Sequence, residues 1–135
     1  MENSLGQELF TAMCMEKKAV RSLSIIIGAA PRLADRELLL AVQREERRHY
    51  YLLEGIYEEA AGKPREVTAA AVSLPKNFCD MLKTQICDKL TAVDFYEKLL
   101  PQLDCQRQQE LLQIILDDQK EHARILAGIY NRCAT

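Results

Sequence analysis

The sequence predicts an all-α protein, an antiparallel four-helix bundle built from two helical hairpins, and three observations carry that expectation. Apolar residues recur at alternating spacings of three and four along most of the chain, and no segment alternates as a half-buried strand would. Only five Gly and four Pro interrupt 135 residues that are 48% hydrophobic and 28% charged, which suits a helical protein better than a disordered or all-β one. The chain also repeats itself. Leu9, Cys14, Ala19-Val20, Leu38-Leu39 and Gly55-Ile56-Tyr57 recur 73 positions later as Leu82, Cys87, Ala92-Val93, Leu111-Leu112 and Gly128-Ile129-Tyr130. An ungapped repeat of this kind implies two related hairpins around a pseudo-two-fold core.

The elements follow from the stripes. A first helix over about residues 4–28 carries Leu9, Met13, Glu16, Val20, Leu23 and Ile27 on one face. After a break at 28–31, Asp35 can cap a second helix, striped by Leu39, Val42, Glu46, His49, Leu53, Ile56 and Ala60. A third helix starting near Pro75 and ending by Pro101 allows two phases. Phe78, Leu82, Lys89, Ala92, Tyr96 and Leu99 share one face, interrupted by Gln85; the alternative stripe of Leu82, Ile86, Leu90 and Val93 places Lys89 on the flank. Asp104 can cap the last helix, with Leu112, Ile115, Gln119, His122, Leu126 and Ile129 in phase.

The chain is thus one domain over 1–135, with hairpin one at about 4–61, a crossover at about 62–74 and hairpin two at about 75–131. A helix of about 25 residues is roughly 38 Å long, and about 14 extended residues span at most roughly 46 Å. The crossover is therefore feasible but taut, and a homodimer that exchanges hairpins through it stays open.

Charge and composition exclude several partners. A net charge of −2, with Lys and Arg scattered, leaves no electrostatic footprint for nucleic acid. No apolar run approaches the roughly 20 residues needed to cross a bilayer. The first ten residues lack the pattern of a signal peptide, so a cytoplasmic protein with no membrane partner is expected. Five cysteines (Cys14, Cys79, Cys87, Cys105 and Cys133) form no C-x-x-C pair. They read as small packing residues in a reducing compartment, with neither a disulfide framework nor a zinc-ribbon or rubredoxin-type site.

The repeat carries the chemistry. Glu16, Glu46 and His49 recur 73 positions later as Lys89, Gln119 and His122. A carboxylate in a core stripe costs several kcal/mol of desolvation unless it is paired or bound to metal. Glu46 and His49, at i and i+3, can offer an oxygen and an imidazole nitrogen to one ion, and Glu16 a further oxygen from the neighbouring helix.

A Glu on helix one with Glu-x-x-His on helix two, echoed on helices three and four, resembles the ligand set of the ferritin-like di-iron carboxylate proteins. The chain looks most like the rubrerythrin-type domain, over about residues 5–130. The resemblance implies that Glu16 is a terminal carboxylate, Glu46 a bridging carboxylate and His49 the imidazole ligand of a first metal, with His122 the imidazole ligand of a second. Lys89 and Gln119 stand where that family has its other two carboxylates. An ammonium cannot ligate a cation and a neutral amide bridges poorly. Asp88 and Asp118 are one position earlier, about 100° around the helix, and are not expected to substitute.

With Glu16 and Glu46 opposed by Lys89, the ammonium can stand in for the second ion. Three functions then remain open, and with them whether the protein is an enzyme at all. The leading one is a ferritin-like protein without functional metal, with an interaction or structural role. A metal-dependent oxidoreductase acting on peroxide or dioxygen is the second; with no rubredoxin-type cysteines it would need a separate electron donor. The third is a binder of one iron, manganese or zinc ion through Glu16, Glu46 and His49. Tyr96 reads mainly as core, with a donor role towards the polar stripe as the alternative. Tyr57 and Tyr130 read as packing at the bundle ends, and Glu45, Arg47 and Arg48 as a solvated face.

Overall fold

The computed structural model describes residues 4–68 and 71–133. Among the described residues, four long helices make up the fold: α1 Ser4–Ala29, α2 Leu33–Ala61, α3 Phe78–Leu99 and α4 Gln106–Cys133, with a 3-10 turn at Leu100–Gln102 before α4. Among the described residues there is no strand. The helices pair chiefly α1 with α2 and α3 with α4, and the two hairpins meet through α2–α4 and α1–α3 contacts. None of the helices is long and apolar enough to cross a membrane.

Capping explains where the helices begin, and it differs from the sequence expectation at three of them. α2 starts at Leu33, three residues earlier than a cap at Asp35 would place it. Arg32 is its N-cap residue and supplies no side-chain cap, while Asp35 lies in the first turn, 3% exposed, and accepts a 2.6 Å bond from Arg132 at the far end of α4. An ion-pair partner 97 residues away competes for the carboxylate that local spacing assigned to the cap. α3 starts at Phe78 rather than near Pro75, because the Asn77 side chain accepts from the Asp80 N–H at 3.2 Å. α4 begins at Gln106, and the Cys105 carbonyl, not Asp104, takes up the Gln109 N–H.

α2 ends on Gly62, whose φ of 79° places it in the left-handed region, with its N–H donating to the Glu58 carbonyl. Only glycine adopts that conformation without cost. Gly62→Ala is expected to lower stability by about 1 kcal/mol, read by urea denaturation; an unchanged midpoint would mean that the chain leaves α2 by another route. The link beyond Gly62 is tied down at Val67, which is buried and whose N–H donates to the buried Tyr50 hydroxyl at 3.3 Å.

The stripes form two apolar clusters. One contains Leu9, Met13, Leu53, Ile56, Tyr57, Tyr96, Leu112 and Ile115. The other contains Leu23, Ile26, Leu39, Val42, Leu82, Leu126 and Ile129. The phase of α3 is settled by burial: Lys89 and Gln85 face inward, whereas Leu90 of the alternative stripe is 57% exposed. Along α1 the buried face runs through Ser22, Leu23 and Ile26, leaving Val20 and Ile27 only half-buried.

The cysteine expectation is corrected at one pair. Cys79 at the start of α3 and Cys133 at the end of α4 are joined by a disulfide, with their Cα atoms 5.9 Å apart. Cys14 is half-buried, and Cys87 and Cys105 are exposed. A separation of 54 residues hides such a pair from local spacing.

Candidate functional site

Between the two apolar clusters lies a polar layer. Glu16 of α1, Glu46 and His49 of α2, Lys89 of α3, and Gln119 and His122 of α4 are each at most 3% exposed. All six sequence-derived residues therefore meet in the core. They do so because each occupies an inward phase of its stripe, which the repeat superimposes across the bundle.

The two residues that break the symmetry act as donors. Lys89 Nζ lies 2.6 Å from Glu46 Oε1, a buried ion pair. Gln119 Nε2 donates to Glu16 Oε1 at 2.9 Å and to Glu46 Oε2 at 3.1 Å, which uses both amide hydrogens, and His49 Nδ1 is a third neighbour at 3.3 Å. The Tyr96 hydroxyl donates to Glu16 Oε1 at 2.9 Å, so its contact with the polar layer prevails over a role in packing alone. His122 Nδ1 lies 2.7 Å from Glu46 Oε1.

Both histidines are held from behind as well. His49 Nε2 lies 2.8 Å from Asp118 Oδ2, and His122 Nε2 lies 2.9 Å from Glu45 Oε1. Asp118 follows Glu45 by the repeat distance, so each hairpin orients the other's imidazole through equivalent residues. Facing a carboxylate, His49 Nε2 carries a proton, which turns Nδ1 towards Glu16 and Glu46. Sequence reasoning missed this role for both acids, having placed Glu45 on a solvated face and weighed Asp118 only as a ligand.

Electrostatics follow the geometry. Burial, the Glu46 charge and a side-chain contact with Glu46 raise the Glu16 pKa to about 8. Burial would also raise Glu46, but the Lys89 ammonium and hydrogen bonds with Glu16, His122 and His49 hold it well below the usual carboxylate value. Burial lowers His49, and bonds and charges from Glu16 and Glu46 more than offset it, taking its pKa to about 10. Burial and the Glu16 charge push Tyr96 well above its usual value.

These shifts have opposite signs for stability. A raised His49 stabilises fully below about pH 6.5, and that contribution is lost as pH rises through about 10. Raised Glu16 also favours the folded state's protonated form, so its ionisation costs stability as pH rises from about 4.3 towards 8. Glu46 acts oppositely, its contribution disappearing only as acid titrates it below the usual range. Urea denaturation in chelator is therefore expected to show stability declining steadily from pH 6 to pH 10. A flat profile over that interval would contradict the charge assignment.

One ligating atom from each of Glu16, Glu46 and His49 lies within 4.8 Å of the others, so this buried group could bind a metal ion. His49 Nδ1 is 3.5 Å from Glu16 Oε1 and 3.8 Å from Glu46 Oε2, near the roughly 3.4 Å ligand spacing that bonds of about 2.1 Å give around a tetrahedral ion. The donor set fits one cation if the Gln119 amide turns away. It does not fit a second, because Lys89 and His122 both occupy Glu46 Oε1.

No family model and no curated protein matches the chain. Several solved structures are similar to it, among them two hypothetical proteins. A hypothetical protein from Pyrococcus furiosus superimposes with a TM-score of 0.79 at 21% identity, covering 95% of this chain and 89% of that one. A conserved hypothetical protein from Mycobacterium tuberculosis gives 0.74 at 14% identity, covering 98% and 99% respectively. At these identities the likeness establishes a shared four-helix fold.

Proposed function

We propose that this is a ferritin-like protein in which a metal-free charge network replaces the di-iron centre, leaving an interaction or structural role in place of two-metal redox chemistry. The observation that carries the reading is that Lys89 and Gln119, at the two repeat positions where carboxylates would complete the site, both donate to Glu46. Their hydrogens satisfy the charge that metal ions would otherwise neutralise. The expectations of a cytoplasmic homodimer, without nucleic-acid or membrane partners, belong to the same reading.

A second reading has its own support. Asp118 behind His49, and an Oε2 of Glu16 that lacks any hydrogen-bond partner, favour one ion held by Glu16, Glu46 and His49. Two oxygens and an imidazole suit iron, manganese or zinc alike. A metal-dependent oxidoreductase would require this ion and a separate electron donor. Protein exposed anaerobically to ferrous iron and desalted is expected to consume hydrogen peroxide no faster than protein never exposed to iron. Saturable consumption that is lost in Glu46→Ala would overturn the metal-free reading.

A further inference from the structure

Lysines and arginines that are scattered along the sequence are drawn together by the first hairpin. Lys17 and Arg21 of α1 and Arg47 of α2 line a cavity of about 200 Å³ between the two helices, and Val20, Tyr50 and Tyr51 complete its wall. No acidic residue lines it, and among the described residues none of the three cations has an ion-pair partner. Nor does any position three or four residues from them along either helix carry an acid, the spacing at which a helical cation meets one. Buried Gln43 fixes the alignment of the helices here, donating to the Val20 carbonyl at 2.8 Å and to Ser24 Oγ at 2.7 Å. The Tyr50 hydroxyl accepts from the Val67 N–H, which holds the Tyr50 ring in place, and Lys17 Nζ lies 4.6 Å from the ring centroid. Glu54 and Glu66 act on that hydroxyl but do not line the cavity. Tyr51 packs edge-on against Tyr50 at 5.5 Å between centroids and remains 66% exposed.

We infer that this cavity binds a small aromatic phosphomonoester. Three cations without a counter-charge in one small cavity create a local positive potential that favours an anion. Two of them are guanidiniums, whose planar forks of N–H donors match phosphate oxygens in pairs. A phosphate monoester carries a charge of about −1.5 to −2 at neutral pH, closer to balancing three cations than a single carboxylate is. The exposed Tyr51 ring supplies an aromatic face for the organic part of the ligand. The volume lies below the roughly 300–1,000 Å³ of drug-sized pockets, which restricts the ligand to about one ring and its phosphate. None of the six polar-layer residues lines this cavity, so the site stands whether or not that layer holds metal.

The full chain is titrated with phenyl phosphate, benzoate and inorganic phosphate at equal ionic strength, while the Tyr51 ring and arginine Nε–H signals are followed by NMR. Saturable shifts with phenyl phosphate are expected, with benzoate and inorganic phosphate each bound at least tenfold more weakly. Arg21→Gln with Arg47→Gln should weaken phenyl phosphate binding at least tenfold; both side chains are exposed, and circular dichroism checks that helicity is kept. Tyr51→Ala, at a second exposed position, should weaken phenyl phosphate but not inorganic phosphate. Absence of a saturable shift with phenyl phosphate, or binding that the double arginine variant retains in full, overturns the site. Benzoate or inorganic phosphate bound as tightly as phenyl phosphate overturns the assignment of an aromatic phosphomonoester.

Discussion

Replacing Lys89 with methionine is expected to lower the unfolding free energy by about 3 kcal/mol, the lower end of the range for removing one partner of a buried ion pair. The ammonium is 2.6 Å from a carboxylate with no solvent exposure, so its loss leaves Glu46 with its contacts to His122, Gln119, Glu16 and His49 but without the full positive charge of Lys89. Glu46→Met combined with Lys89→Met should recover much of that loss, because two apolar groups leave neither charge unmatched. Urea denaturation of the three proteins checks this. A loss below about 1 kcal/mol in the single variant would mean that the ion pair is not what holds Glu46 in the core.

A larger change is expected from Lys89→Glu with Gln119→Glu. The double variant carries four carboxylates and two histidines in one buried layer, the symmetrical set that binds two metal ions in di-iron bundles. Without metal, mutual repulsion among four buried carboxylates should unfold it or raise several pKa values. With ferrous or manganous ions it should regain helicity and retain two per chain, since binding to the folded state alone stabilises that state by mass action. Circular dichroism with and without metal, alongside elemental analysis, reads both effects. A double variant as stable in chelator as the original protein would show that the layer tolerates charge without compensation, contrary to the role given to Lys89 and Gln119.

Much of this was legible in the residues themselves. Along α2 and α4 the polar members of each stripe lie in phase with leucines and isoleucines, so the inward placement of Glu46, His49, Gln119 and His122 follows from periodicity alone. On α3 periodicity was ambiguous, because Gln85 is itself buried and polar and broke the apolar face that includes Lys89. Gln85 lines a cavity of about 220 Å³ between α1 and α3, which is where that interruption falls. What stayed hidden were partnerships between distant segments: Arg132 with Asp35, Cys79 with Cys133, and the outer carboxylates behind the histidines. The repeat did contain a signal for the last of these. Glu45 and Asp118 are equivalent acidic positions adjoining the two interior sites, and that equivalence, more than the exposure of either residue, marks them as supports for the imidazoles.

The proposed replacement of metal by Lys89 and Gln119 is read out by metal stoichiometry. The full chain is exposed anaerobically to ferrous iron and to manganese, desalted, and measured by elemental mass spectrometry. Near-zero retention per chain is expected. One ion per chain would contradict it in favour of a site at Glu16, Glu46 and His49, and two would contradict both readings.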